Sequence, residues 1–132
     1  MKSKGEEVWR PTPDQLQQAV DRTIPDVIRK QLPVLFVGIN PSLYSAATSH
    51  HFARPGNRFW PALHNSGITD RLLSPFEDQQ LVDYGCGITN MVARATRRAD
   101  ELSPEEIVEG AEELQQKVKR YQIGQVVFLG VT

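Results

Sequence analysis

Residues 34–39 read Val-Leu-Phe-Val-Gly-Ile, a run without one polar side chain. A strand with one wet face alternates apolar and polar residues, whereas an unbroken run belongs to a strand buried on both faces. Such a strand needs a packed layer on each side. The chain is therefore expected to be an α/β domain, with a largely parallel sheet covered by helices above and below. Two more strands are expected, a short one at residues 88–92, after Gly87, and a last buried, apolar one at residues 126–129.

The segments between the strands are helical in pattern. Thr12-Pro13-Asp14 reads as an N-cap, a first-turn proline and a carboxylate facing the helix dipole, and predicts a helix to about Val20. Residues 26–31 suit a second, short helix. Asn57 is expected to cap a helix that carries Phe59, Trp60 and Leu63 and closes at Gly67; residues 74–82 are weakly helical. The firmest start is Ser103-Pro104-Glu105-Glu106, a capping box. After it Ile107, Ala111, Leu114, Val118 and Tyr121 recur at helical spacing, with Lys117, Lys119 and Arg120 as helix-end charges. Residues 1–10 read as a flexible arm. A strand ending so close to Thr132 leaves the sheet thin, so a single domain over 1–132 is expected, with a C-terminal part of its fold missing.

At 132 residues, with 39% hydrophobic and 23% charged residues, the chain has the size and composition of one globular domain. A net charge of −1 gives no global basic field, so any nucleic-acid contact rests on local clusters. Cys86 is the one cysteine, which excludes an internal disulfide and a cysteine-rich metal site; it is expected as a small buried hydrophobe. No segment approaches the ~20 apolar residues of a membrane-spanning helix. The N-terminus has no apolar signal core, and an intracellular, cytoplasmic protein is expected.

In parallel α/β sheets ligands gather outside the carboxyl ends of the strands, and Asn40, Asn90 and Gly130 all fall there. The loop over residues 40–56 exceeds the ~12–15 residues beyond which structureless loops are usually functional or disordered. Its Tyr44, His50, His51 and Phe52 make it too aromatic for disorder.

Three blocks carry a resemblance. They are Gly38-Ile39-Asn40-Pro41, then His51-Phe52-Ala53-Arg54-Pro55-Gly56-Asn57-Arg58-Phe59-Trp60, then Gly87-Ile88-Thr89-Asn90-Met91-Val92-Ala93-Arg94-Ala95-Thr96. In order and spacing they resemble the mismatch-specific uracil/thymine DNA glycosylases, over roughly residues 25–130. The resemblance implies a three-layer α/β/α fold of the uracil-DNA glycosylase type. It implies a monomer, without metal or cofactor, that hydrolyses the N-glycosidic bond of uracil or thymine mispaired with guanine. It also implies that Asn40 positions the attacking water, that Thr96 helps to hold it, and that Phe52 stacks on the extruded base with Asn90 nearby. Two departures stand out. Ser42 replaces the family's glycine, and a side chain there narrows the base pocket or bonds to the base. The family's C-terminal segment, with its Pro-Ser wedge, is expected to be absent.

The residue types suit that chemistry. A base inside a duplex must be extruded, at a cost of a few kcal/mol that is least for a mispair. Stacking on an aromatic returns ~1–3 kcal/mol, which Phe52 can supply. Charge then develops on the departing pyrimidine, and preformed donors are usually the largest catalytic term; the backbone N–H groups near Ile39 and Phe52 and the Asn90 amide are candidates. The Asn40 amide has no useful basicity, so it orients a water without taking its proton. Without a general base, worth ~10²–10⁴, the expected enzyme is slow and favours uracil over thymine. Asp83 and Asp100 lie near the third block and are candidate bases, although a solvated helix end suits Asp83 better.

Arg54, Arg58 and Arg94, with Arg97 and Arg98, suit phosphate contacts to double-stranded DNA. His50 and His51 have too few partners for a metal and are expected to face DNA or solvent. A different class stays open: a non-catalytic module of the same fold that binds damaged or abasic DNA. A nucleotide-binding enzyme is disfavoured, because Gly-Ile-Asn-Pro lacks the glycines that let a diphosphate approach.

Overall fold

The computed structural model describes residues 10–130. Strands β1 (Val34–Gly38), β2 (Cys86–Asn90) and β3 (Gln125–Phe128) form a parallel three-stranded sheet in the order β2-β1-β3. β1 pairs with β2 from Val34↔Cys86 to Gly38↔Asn90, and with β3 from Val34↔Gln125 to Val37↔Phe128. The unbroken apolar run of β1 is explained by what covers it. Phe36, with Ile88 beside it, packs into a cluster with Trp60, Leu63, Leu73 and Leu81. Leu35 and Val37 pack on the opposite side against Leu114, with Val118 and Val126 around them.

Four α-helices flank this sheet among the described residues: α1 (Pro13–Gln18), α2 (Leu43–Thr48), α3 (Phe59–Asn65) and α4 (Pro104–Tyr121). Thr12 caps α1 in a box with Gln15, and Ser103 caps α4 in a box with Glu106. The weakly helical stretch is a 3₁₀ segment, Pro75–Tyr84, opened by Ser74 and closed at Gly85, whose φ is 79°. None of these helices is long and apolar enough to cross a membrane. The arm expected over residues 1–10 lies, apart from Arg10, outside the described residues.

Several local expectations change. Residues 26–31 form no helix; Val27 exchanges both backbone hydrogen bonds with Ile88, along the outer edge of β2. Exposed strand edges hold a row of unpaired donors and acceptors, and one extended residue satisfies part of that row better than a single helical turn. β2 also begins at Cys86 rather than at residue 88. Gly87 permits this, since a Cβ there would lie 2.3 Å from the Val27 carbonyl oxygen. In α3 the N-cap is Arg58, while Asn57 Oδ1 accepts from the Phe59 N–H at 2.8 Å. The loop over 40–56 is not structureless: it contains α2, capped by Ser42. Lys117 is no simple helix-end charge. Its ammonium meets the Asp26 carboxylate and donates to Thr89 Oγ1 at 2.8 Å, tying α4 to β2 and to the segment before β1. Cys86 is buried, and burial pushes its thiol pKa up.

Candidate functional site

The strand order places a divergence at β1. The chain leaves β1 for β2 on one side and then crosses to β3 on the other, and crevices open at the carboxyl ends of strands where directions part in this way. A cavity of about 290 Å³ lies there, lined by residues 38–42, Phe52, Thr96, Arg97, Ala99, Leu129 and Gly130. The turn after β1 is held from the β2 side, because the Met91 and Val92 N–H groups donate to the Gly38 and Ile39 carbonyls.

Asn40 is fixed by its own amide. Nδ2 donates to the Arg94 carbonyl at 3.0 Å and to Thr96 Oγ1 at 2.8 Å. A carbonyl only accepts, so the Asn40 atom facing Arg94 must be the nitrogen. Both amide hydrogens are thereby used. Oδ1 has no hydrogen-bond partner among the described residues and is not sealed from solvent, which leaves a free acceptor on a residue that lines the cavity. Thr96 is buried and gives its hydroxyl proton to the Arg98 carbonyl at 2.7 Å. Toward Asn40 it is therefore an acceptor, and what it holds directly is the amide.

Phe52 has φ of 53°, a left-handed conformation that a bulky residue adopts only under constraint. The constraint is visible on both sides. The His51 N–H donates to Asp78 Oδ2 at 3.0 Å, Trp60 Nε1 donates to the His51 carbonyl at 3.2 Å, and the Ala53 N–H donates to Ser45 Oγ at 3.1 Å. Phe59 backs the Phe52 ring at a centroid distance of 4.4 Å. The N–H groups of Ile39 and Phe52 have no partner among the described residues.

The histidines differ from expectation. His51 is buried rather than facing solvent, and Nε2 donates to the Pro25 carbonyl at 2.9 Å. Burial is the main cause that lowers its pKa, against the Pro25 hydrogen bond and the Asp78 charge, which raise it. His50 is half-buried, with Nδ1 at 3.2 Å from Asp78 Oδ1 and its ring edge-on to Phe76.

Ile39, Asn40, Ser42, Phe52 and Thr96 come together around the one cavity. Asn90 lies beside it, across from Gly38, and borders a second cavity of about 280 Å³ with Asp26, Thr89 and Lys117. The Ser42 hydroxyl is engaged in capping: it accepts from the Ser45 N–H at 3.1 Å and donates to Ser45 Oγ at 3.2 Å. Arg54 and Arg58 are exposed and form no ion pair among the described residues. Arg94 does not share that position. Glu106 takes its Nε and Nη2 together, and Asp21 Oδ1 takes Nη1 at 3.0 Å, so the guanidinium is engaged with carboxylates rather than open to a phosphate. Arg97 donates to Gln17 at 3.1 Å and Arg98 pairs with Asp100 at 3.0 Å. Asp83 is exposed and precedes β2, at the end of the sheet away from Asn40. It is too remote to serve as a base there.

Gly38, Ser45, Trp60, Asp78 and Glu106 support the site and went unread as part of it. Gly38 and Trp60 lie inside the motif blocks without a role read for them at the site. Glu106 carried only the signal of a helix start, as the third helical residue of a capping box, and Ser45 and Asp78 carried none.

The strand ends, the cavity and every residue around Asn40 and Phe52 fall within one matched stretch. The family model described as the uracil DNA glycosylase superfamily matches residues 25–132. The chain therefore belongs to the uracil DNA glycosylase superfamily, whose members bind DNA and carry glycosylase-type DNA repair.

Proposed function

We propose that this protein is a monofunctional glycosylase that excises uracil mispaired with guanine in double-stranded DNA, by attack of a water that Asn40 orients. The observation that carries the reading is the Asn40 amide, with both hydrogens engaged and its carbonyl oxygen left as a free acceptor on a residue that lines the cavity. Such an acceptor takes one hydrogen of a water and aims the oxygen lone pair elsewhere.

The extruded uracil enters the cavity against Phe52, whose ring is already fixed by its neighbours. Water oxygen then bonds to C1′ of the sugar as the C1′–N1 bond breaks. The bonding pair leaves with the pyrimidine, and the proton of the water passes to solvent or to the departing base. The products are an abasic sugar and free uracil. Charge on the departing uracil is met by the Ile39 and Phe52 N–H groups and the Asn90 amide. Preorganised donors of this kind act without reorganising during the reaction.

Selectivity follows from the same parts. Among the described residues no carboxylate lines the cavity at Asn40, so the leaving group must be good, and uracil outruns thymine. A G·U mispair opens at lower cost than a paired base, which favours mismatched duplex. Arg54 and Arg58 hold the phosphates.

The test is base release at low salt from a duplex with one G·U pair, beside A·U, G·T and single-stranded controls, with the wild type and Asn40→Ala. Release from G·U that falls at least ~10²-fold in Asn40→Ala supports the water-orienting role, since misplacing a reacting group by 1 Å costs about that much. No release from any substrate, with tight binding to an abasic duplex, points instead to a non-catalytic binding module.

A further inference from the structure

We infer that Arg94 and Glu106 are a positioning pair for Asn40, an inference that rests on reading Asn40 as the residue that orients the water. Arg94 has the sequence position of a DNA contact, but its side chain turns to Asp21 and Glu106. Its carbonyl accepts from Asn40 Nδ2 at 3.0 Å. The direction of that carbonyl therefore sets the direction of the Asn40 amide, and so of its free acceptor oxygen.

Residues 91–98 form no helix or strand, so something other than regular structure must hold the Arg94 peptide. Its own guanidinium does so. Nε and Nη2 meet the two oxygens of Glu106 in a fork, Nη1 reaches Asp21, and Nη2 also donates to the Glu101 carbonyl at 3.4 Å. Planar two-point pairing fixes orientation as well as distance. Next to it, the Ala95 N–H donates to the Arg22 carbonyl at 2.8 Å, and the Asp21 N–H donates to the Ala95 carbonyl at 2.9 Å.

The other end of the fork is equally fixed. Glu106 is the third residue of α4, an 18-residue helix, and its carboxylate also accepts from the Ser103 N–H at 2.9 Å. The anchor is thus a helix start, not a free surface side chain. Arg94 holds the Glu106 carboxyl at about 2, far below its ordinary range, so the pair stays charged at any pH used for assay.

The arrangement makes Arg94 and Glu106 act through Asn40 rather than on DNA. Two substitutions separate these roles. Glu106→Gln keeps a residue that suits the capping box but removes the charge; Arg94→Lys keeps the charge but removes the fork. Each is expected to lower the single-turnover rate of uracil release from the G·U duplex about tenfold, with affinity for an abasic duplex and its salt dependence unchanged. In an Asn40→Ala background neither substitution should lower the rate further. A third variant, Arg94→Gln, removes the cation itself: a phosphate contact at Arg94 would there weaken binding and reduce the salt slope by about one, and that result overturns the inference.

A second readout does not require activity. The Asn40 side-chain amide, identified in a ¹⁵N–¹H spectrum by its loss in Asn40→Ala, should be dispersed and slow to exchange in the wild type. It should move toward free-amide positions in Glu106→Gln and Arg94→Lys while the backbone spectrum of the sheet is kept. An Asn40 amide unchanged in both variants rules the positioning pair out, even if the wild type releases no uracil. Absence of release from the wild type, by contrast, counts against the proposed activity alone.

Discussion

Gly38 on β1 sits directly across from Asn90 on β2, and a Cβ on Gly38 would lie 2.7 Å from Asn90 Oδ1 and 3.7 Å from the Phe52 ring. The missing side chain leaves a slot between an amide and an aromatic edge at the floor of the cavity. Filling the slot does not threaten the core, because the closest atom is the free end of an Asn side chain. Gly38→Ala is therefore expected to fold and to turn the Asn90 amide away. Losing the hydrogen bond proposed between Asn90 and the base, worth about 0.5–1.5 kcal/mol, should lower uracil excision by up to about tenfold. Thymine, with its additional methyl group, suffers more. Single-turnover rates on G·U and G·T duplexes, beside a melting curve, check this; equal losses on both bases would contradict the slot.

Phe52 depends on a scaffold that can be removed from outside the cavity. Ser45 Oγ accepts from the Ala53 N–H, one residue beyond the strained Phe52. Ser45→Ala leaves that buried N–H without a partner, at about 1–3 kcal/mol, and frees Phe52 to leave its left-handed conformation. The expected outcome is lower thermal stability together with weaker binding of the flipped base. Phe52→Ala should lose the stacking itself, about 1–3 kcal/mol, or roughly 5- to 150-fold in affinity. If the two variants are combined, their binding losses should not add, since Ser45 acts on the base only through Phe52.

What could be read beforehand followed from local chemistry. The β1 run and the Ser103 capping box each declare their structure within a few residues, and the structure keeps both. Asn40, Phe52 and Thr96 were legible through the motif blocks, and they do line one cavity. The ion pairs of Arg94 were not legible because its partners, Asp21 and Glu106, are distant in sequence and nothing near Arg94 announces them. Residues 26–31 were misread because their partner is also distant in sequence: Val27 is extended because Ile88 needs a partner, a tertiary demand that overrides one turn of helical propensity. Gly87 lies just before the strand expected at residues 88–92. In the structure it lies inside β2, as the gap that lets the Val27 carbonyl approach.

Stability should fall with acid from the buried histidine. His51 has its pKa lowered by burial below the ordinary 6.5, so beneath that pH the unfolded chain binds a proton that the folded chain refuses. The contribution is complete above about pH 6.5, declines as pH falls, and levels off below the folded pKa. The groups facing the ring, Asp78, Asp26 and His50, modify the slope. Glu106 acts in a different window: its carboxyl is lowered to about 2 from 4.5, so its contribution is intact above about pH 4.5 and lost as pH falls toward 2. His51→Gln keeps a donor for the Pro25 carbonyl but cannot titrate. Melting temperatures of the variant should vary less between pH 5 and 8 than those of the wild type, and parallel profiles would exclude His51 as the cause.

DNA affinity should rest on the arginines that the fold leaves unengaged. Arg54 and Arg58 follow Phe52 in the chain, are exposed, and form no ion pair among the described residues. With an overall charge of −1 the protein has no general field to replace them. A side chain that neutralises one phosphate contributes close to one counterion to the salt dependence of binding. Arg54→Gln and Arg58→Gln should each weaken binding to any duplex and reduce the salt slope by about one. The single-turnover rate at saturating enzyme should stay near that of the wild type, because neither residue touches the Asn40 amide. Binding isotherms from low to moderate salt, taken on matched and G·U duplexes, separate this from base recognition. A loss confined to the G·U duplex would place these arginines at the mispair, whereas an equal loss on both places them on the backbone.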